Sequence, residues 1–179
     1  MKNIMVDLET LGNGPKAVIV SIGAVQFDET GLGDTFYINV DPESCVATGM
    51  EMDVSTVMWW MQQSDAARKA LTQTAQFSIA AALDQFRRYL PSGDVVLWGN
   101  GATFDNVILA SAHRLVGVKR PWSFRNDRCF RTLKDLYPQV KPGMPVGTAH
   151  NALDDAVFQA EHASRILRHI KEAQYAQVI

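Results

Sequence analysis

Residues 4–9 alternate in polarity, with Ile4, Val6 and Leu8 on one side and Met5, Asp7 and Glu9 on the other. A period of two marks a β-strand, so both carboxylates share a face. Gly12, Asn13, Gly14 and Pro15 predict a turn. Residues 18–27 form an apolar β-rich run and residues 34–39 a third strand, with a hairpin over residues 29–33. Helical patterning follows over residues 55–63, 65–72 and 78–90, the last stopped by Pro91 and Gly93. A short buried strand is expected at residues 94–98 and a helix at 104–116, whose apolar side carries Val107, Ile108, Ala112, Leu115 and Val116. Asp105 then falls in its first turn. A Pro/Trp-containing loop, a short helix near residues 130–136 and a loop over 142–147 lead to a last helix, with Leu153, Ala156, Val157, Ala160, Ala163, Leu167 and Ile170 as its buried stripe. A three-strand antiparallel meander followed by alternating helix and strand predicts an α/β fold: a mixed sheet with added parallel strands and helices on both faces.

With 179 residues, 47% hydrophobic and 20% charged, the chain is expected to fold as a single domain over residues 1–179 without disulfides or structural metal. Cys45 and Cys129 stand far apart in no metal-binding spacing, which suits a reducing cytoplasm. The N-terminus has no charged start followed by an apolar core, and the apolar run over residues 17–27 is too short to span a bilayer, so neither export nor membrane insertion is expected. The net charge of −2 argues at first against a polyanionic partner. Its distribution points the other way, because eight of the seventeen basic residues lie between Arg114 and Lys141, against only Asp127 and Asp135. Taken alone, such a segment is better explained as the solvated surface charge of a helix-and-loop region.

Five residues carry the candidate chemistry. Asp7 and Glu9 share one face of a strand that should be central, and like charges buried that close are costly unless cations neutralise them. Asp105 follows Asn100-Gly-Ala-Thr-Phe, where an acid at a helix start also favours the macrodipole. His150 and Asp155 are five residues apart, about 500° of helical rotation, so they cannot share a helix face. His150 is therefore expected in the loop before the last helix, with Asp155 in its first turns. Periodicity does not choose between Asp154 and Asp155, since both fall off the apolar stripe. Carboxylates with one histidine suit a two-metal phosphodiesterase: hard cations prefer oxygen ligands, and the attacking water needs a base that titrates near neutrality. Gly99-x-Gly101 lacks the third glycine of a dinucleotide-binding turn and is not read as one.

Asp7-x-Glu9, Asp105 after Asn-Gly-x-x-Phe, and His150-x4-Asp155 resemble, in order and spacing, the three motifs of the DEDDh exonucleases, the DnaQ-like group with a ribonuclease H-like fold. The resemblance runs from residue 4 to about residue 167. It implies 3′-to-5′ hydrolysis of phosphodiester bonds, with Asp7, Glu9, Asp105 and Asp155 holding two Mg²⁺ or Mn²⁺ ions and His150 as general base. Asp155 is preferred over Asp154 because the family motif keeps four residues between histidine and aspartate. Residues 56–63, containing Trp59 and Trp60, together with residues 126–132, resemble the branch of phage-type exodeoxyribonucleases and the mycobacterial exoribonuclease domain.

The expected partners are 3′ ends of single-stranded DNA, with RNA second, and the expected products are nucleoside 5′-monophosphates. Position and family together nominate Thr10, Leu11, Asn100 and Trp59 as substrate contacts. Trp59 and Trp60 could stack on bases, but adjacent helical residues point about 100° apart, so at least one is expected in the core. The apolar residues between Met50 and Met61 are a candidate homodimer surface. The alternative function is a non-catalytic nucleic-acid-binding or recruitment module of a replication or repair assembly. Retention of all five site residues counts against it.

Overall fold

The computed structural model describes residues 2–71, 77–145, 147 and 150–176. Strand β1 (Asn3–Thr10) pairs antiparallel with β2 (Ile19–Asp28), and β2 pairs antiparallel with β3 (Gly31–Asn39). Strands β4 (Val96–Gly99) and β5 (Asp127–Cys129) add in parallel on the far side of β1, giving the order β3-β2-β1-β4-β5. The carboxylate-bearing strand is thus the centre of a five-stranded mixed sheet. The helices are α1 (Pro42–Ala47), α2 (Val54–Met61), α3 (Asp65–Leu71), α4 (Ile79–Tyr89), α5 (Asp105–Val116), α6 (Phe130–Leu136) and α7 (Ala152–Ala176). No helix of the described residues is long and apolar enough to cross a membrane.

The alternation in β1 sorts the protein into two cores. Ile4, Val6 and Leu8 pack with Ile79, Leu83 and Phe86 of α4 and with Ile108, Leu109 and Ala112 of α5. Met5 faces the other way, against Val25, Phe27, Trp98, Phe130 and the Ala156, Ala160 and Ala163 stripe of α7. Each core removes large aliphatic and aromatic surface from water, the dominant favourable term in folding. The parity that sends Met5 toward α7 also sends Asp7 and Glu9 there.

Several expected elements change. The hairpin is tighter than residues 29–33: Asp28 Oδ1 accepts the Thr30 N–H at 2.8 Å, and β3 already begins at Gly31. Helix α1 was not anticipated, although Asp41 caps it by accepting the Glu43 N–H at 3.0 Å, with Pro42 at its start. Strand β5 was also missed, because three residues at a sheet edge show no period. Met50 belongs to the core at 3% exposure, so the exposed apolar surface comes from Met52, Val54, Met58 and Met61 instead. Thr72, the expected end of the helix over residues 65–72, lies outside the described residues, as does Val146 of the 142–147 loop. On α7 the buried face is wider than the expected stripe: Ile166 is fully buried, and Gln159, His162 and Ser164 join it through hydrogen bonds to Asp7, Val140 O and Asp28 O.

One glycine sets the position of α7. Gly23 lies opposite Asp7 across the β1–β2 ladder, and a Cβ there would collide with the Ala152 carbonyl and the Leu153 nitrogen. The start of the helix therefore rests directly on the sheet backbone, beside the carboxylates. Gly23→Ala is expected to destabilise the protein by about 3 kcal/mol, since backbone cannot yield as a side chain does. Urea denaturation of the metal-free protein checks this.

Candidate active site

Asp7 and Glu9 project from the end of β1, and Asp155 descends on them from the first turn of α7. Ligand oxygens of the three lie within 4.8 Å of one another. Asp105, in the first turn of α5, stands beside this group with both oxygens engaged: Oδ1 accepts the Leu8 N–H at 3.2 Å and Oδ2 the Asn100 N–H at 2.9 Å. Gly99 makes its approach feasible, because a Cβ there would meet Asn106 Oδ1 at 2.6 Å and Asp105 Oδ2 at 3.0 Å. Of the adjacent aspartates, Asp155 enters the cluster while the Asp154 carboxyl lies over Gly147.

His150 sits two residues before α7 and has a positive φ of 64°. A non-glycine residue in the left-handed region costs free energy and persists where its surroundings hold it. Two sets of contacts flank this one. Its N–H donates to Asp155 Oδ2 at 3.1 Å, while the Asn151 side chain that follows caps α7 by accepting the Leu153 and Asp154 N–H groups. Its ring meets Trp59 edge-on at 5.0 Å and Trp60 at 5.9 Å. Trp60 is the core member of the pair, with Nε1 donating to Thr10 O at 2.8 Å, whereas Trp59 is 43% exposed.

The other nominated residues divide. Asn100 lines the cleft of about 580 Å³ that also contains Asp7, Glu9, His150 and Asp155. Thr10 is buried, with its hydroxyl donating to Gly12 O at 2.6 Å, and Leu11 packs against the α4–α5 core. Neither lines the cleft. Gln159 was overlooked: Nε2 donates to Asp7 Oδ1 at 2.7 Å, and the buried Oε1 has no partner among the described residues. The signal was present, since Gln159 lies four residues after Asp155 and so shares its helix face.

Burial dominates the electrostatics. It raises Asp7 well above the ordinary carboxylate range, helped by the charges of Asp105 and Glu9, and it pushes Glu9 up to about 7, helped by Asp155 and Asp105. Asp105 is raised to about 6 by burial, against the opposing pull of the Asn100 and Leu8 N–H groups, and burial raises Asp155 as well. Four carboxylates that repel one another out of water form an oxygen-rich donor set, which a hard divalent cation fits.

A five-stranded mixed sheet covered by helices, with an acidic cluster at the end of its central strand, is the ribonuclease H-like architecture of DEDDh exonucleases. Residues 2–167 match the family described as 3′-5′ exoribonuclease Rv2179c-like domain, and the chain belongs to that family. Among curated proteins it is similar to the exodeoxyribonuclease of Enterobacteria phage T4, at 24% identity over 97% of this chain and 93% of that protein. Among solved structures, the nuclease domain of 3′hExo, a DEDDh family member bound to rAMP, superimposes with a TM-score of 0.56 at 14% identity, covering 96% of this chain and 92% of the other. Exonuclease X in complex with 5′ overhanging duplex DNA gives 0.53 at 16% identity, with the same coverage. These two structures establish the fold. The protein is a 3′-to-5′ exonuclease, and its class depends on divalent metal.

Two outcomes follow. Glu9 is raised from 4.5 to about 7 on folding, so its stabilising contribution is full below pH 4.5 and is lost as pH rises through 7. Asp7 shifts in the same direction. Metal-free protein is expected to melt at lower temperature at pH 8 than at pH 5, by a loss on the order of 3 kcal/mol from Glu9 alone, with Mg²⁺ restoring the midpoint at pH 8. Calorimetry in EDTA and in Mg²⁺ reads both arms. Gln159→Leu removes the hydrogen bond to Asp7 and is expected to weaken Mn²⁺ binding roughly tenfold or more, as losses of groups that orient metal ligands do. Titration calorimetry measures it.

Proposed function

We propose that this chain, acting as a single exonuclease domain, removes nucleoside 5′-monophosphates one at a time from the 3′ ends of single-stranded nucleic acid, DNA first and RNA second. The observation that carries this reading is the meeting of Asp7, Glu9 and Asp155 within 4.8 Å, with Asp105 behind them and His150 on the wall of the same cleft. Asp7, Glu9, Asp105 and Asp155 hold two Mg²⁺ or Mn²⁺ ions. When bound, such ions neutralise phosphate charge and acidify the attacking water. His150 accepts the water proton as the new P–O bond forms and the bond from phosphorus to the 3′ oxygen breaks; the leaving oxygen takes a proton from solvent. The Trp59 and Trp60 edges and the Asp155 contact hold His150 for that transfer.

Asn100 and the exposed face of Trp59 bind the terminal nucleotide, the indole offering a stacking surface. Thr10 and Leu11 act one step back, shaping the strand end on which Trp60 is anchored. The preference for DNA is supported by the phage exodeoxyribonuclease, which matches almost end to end, while the family description names RNA. The free thiols of Cys45 and Cys129 suit a cytoplasmic setting. Met52, Met58 and Met61 are the apolar surface a homodimer would use.

The test is mononucleotide release from 5′-labelled single-stranded DNA and matched RNA, with Mg²⁺, Mn²⁺ or EDTA. Wild type is expected to shorten both from the 3′ end in metal only, DNA faster. Asp7→Ala and Asp155→Asn are expected to lose at least about 100-fold in kcat, and Asp154→Asn to stay within a few-fold. Equal loss in Asp154→Asn and Asp155→Asn would contradict the assignment.

A further inference from the structure

The cleft is acidic, so it cannot by itself hold a polyanion beyond the nucleotide being removed. The cations needed for that lie next to it. Strand β5 is an edge of the sheet and runs parallel to β4, with Trp98 opposite Arg128 and Gly99 opposite Cys129. Both strands therefore end on the cleft side, at Asn100 and at the start of α6. From this edge Arg125, Arg128, Arg131 and Lys134 recur at every third position.

Lys134 lines the cleft, and Arg131 Nη2 donates to Asn100 O at 2.9 Å on its rim. Arg128 Nη1 donates to the Arg125 and Asp127 carbonyls, each at 2.9 Å, which ties it to the next cation outward. At the far end the Phe124 ring is 62% exposed, with the guanidinium groups of Arg125 and Arg120 at 5.3 and 5.7 Å from its centre. Arg125, Arg128 and Arg131 are exposed, and none of the four forms a salt bridge among the described residues. Asp127 does not cancel them: its Oδ1 accepts from Asn106 and Trp122, and its Oδ2 lies 3.9 Å from Arg120. Asp135 is the one acid on α6.

We infer that Lys134, Arg131, Arg128 and Arg125 form a track along α6 and the β5 edge that holds the phosphates of a single strand 5′ to the nucleotide in the cleft, with Phe124 as a stacking platform at its outer end. The track rests on the exonuclease reading for its direction. Guanidinium groups supply forked donors for phosphate, and an exposed aromatic ring beside them stacks on any base without reading sequence. The track makes affinity rise with strand length until the outer arginines are reached.

The test compares wild type with the doubly substituted Arg125→Gln/Arg128→Gln protein, neither residue being in the catalytic cluster. Three readouts are taken: hydrolysis of the p-nitrophenyl ester of thymidine 5′-monophosphate, hydrolysis of dT12, and anisotropy of 5′-fluorescein-dT12 without added metal. The double variant is expected to hydrolyse the ester like wild type, with KM and Kd for dT12 roughly tenfold higher at 50 mM salt. Its slope of log affinity against log salt should be smaller by about 1.4, at about 0.7 per lost phosphate contact on a single strand. Arg125→Lys/Arg128→Lys keeps the charge and is expected to restore most of the binding. Unchanged dT12 affinity in the glutamine variant, or equal loss in the lysine variant, overturns the track while leaving wild-type turnover intact. If wild type hydrolyses neither substrate, the exonuclease reading fails instead, and anisotropy still decides the track.

Discussion

Like charges held out of water at the end of the central strand are the constraint around which this protein is organised. Asp7 and Glu9 are two residues apart on β1, and burial together with Asp105 and Asp155 raises both above their ordinary range. Without cations the arrangement works against folding at neutral pH; in the proposed metal site the same oxygens would serve as ligands. The surrounding structure offsets that cost with fixed donors. Leu8 and Asn100 N–H groups hold Asp105, Gln159 holds Asp7, and the His150 N–H holds Asp155. Three of the four carboxylates are thus oriented by fixed donors, and Glu9 is placed by its strand alone.

That orientation depends on close backbone approach. Gly23 lets the start of α7 rest on β2 opposite Asp7, and Gly99 lets the α5 carboxylate reach the end of β1. The helices are anchored elsewhere by ordinary cores, α5 on the Ile4, Val6 and Leu8 side and α7 on the Met5 side. The cluster thus forms where two helices from opposite faces of one sheet converge on one strand end. Trp60 belongs to the same frame, because its bond to Thr10 O fixes α2 to that strand end and brings Trp59 against His150.

Features with local causes were legible in the sequence. The alternation of residues 4–9 set the shared face of Asp7 and Glu9, and the rotation between residues 150 and 155 put His150 ahead of the helix, where the structure has it. The three-strand meander and helices on both faces followed from period together with the turn and stop residues between the periodic segments. What depended on long-range packing was not visible. Periodicity could not separate Asp154 from Asp155, because the difference is made by Gly147 and by β1, which are remote in sequence or in a loop. Gln159 read as an ordinary polar helix residue until its partner 152 positions away was known. Strand β5 is too short to carry a period, and Met50 looked like surface because its burial comes from residues outside its own segment. The basic segment had an ordinary explanation as solvated charge until the parallel pairing of β5 with β4 brought it to the rim of the acidic cleft.

Whether these carboxylates form one site for divalent cations is read by anomalous diffraction from a crystal grown with Mn²⁺ and thymidine 5′-monophosphate. Two Mn²⁺ peaks are expected among Asp7, Glu9, Asp105 and Asp155, with the phosphate beside them and His150 facing it. No peak at the cluster, or peaks bound by Asp154 rather than Asp155, would contradict that expectation.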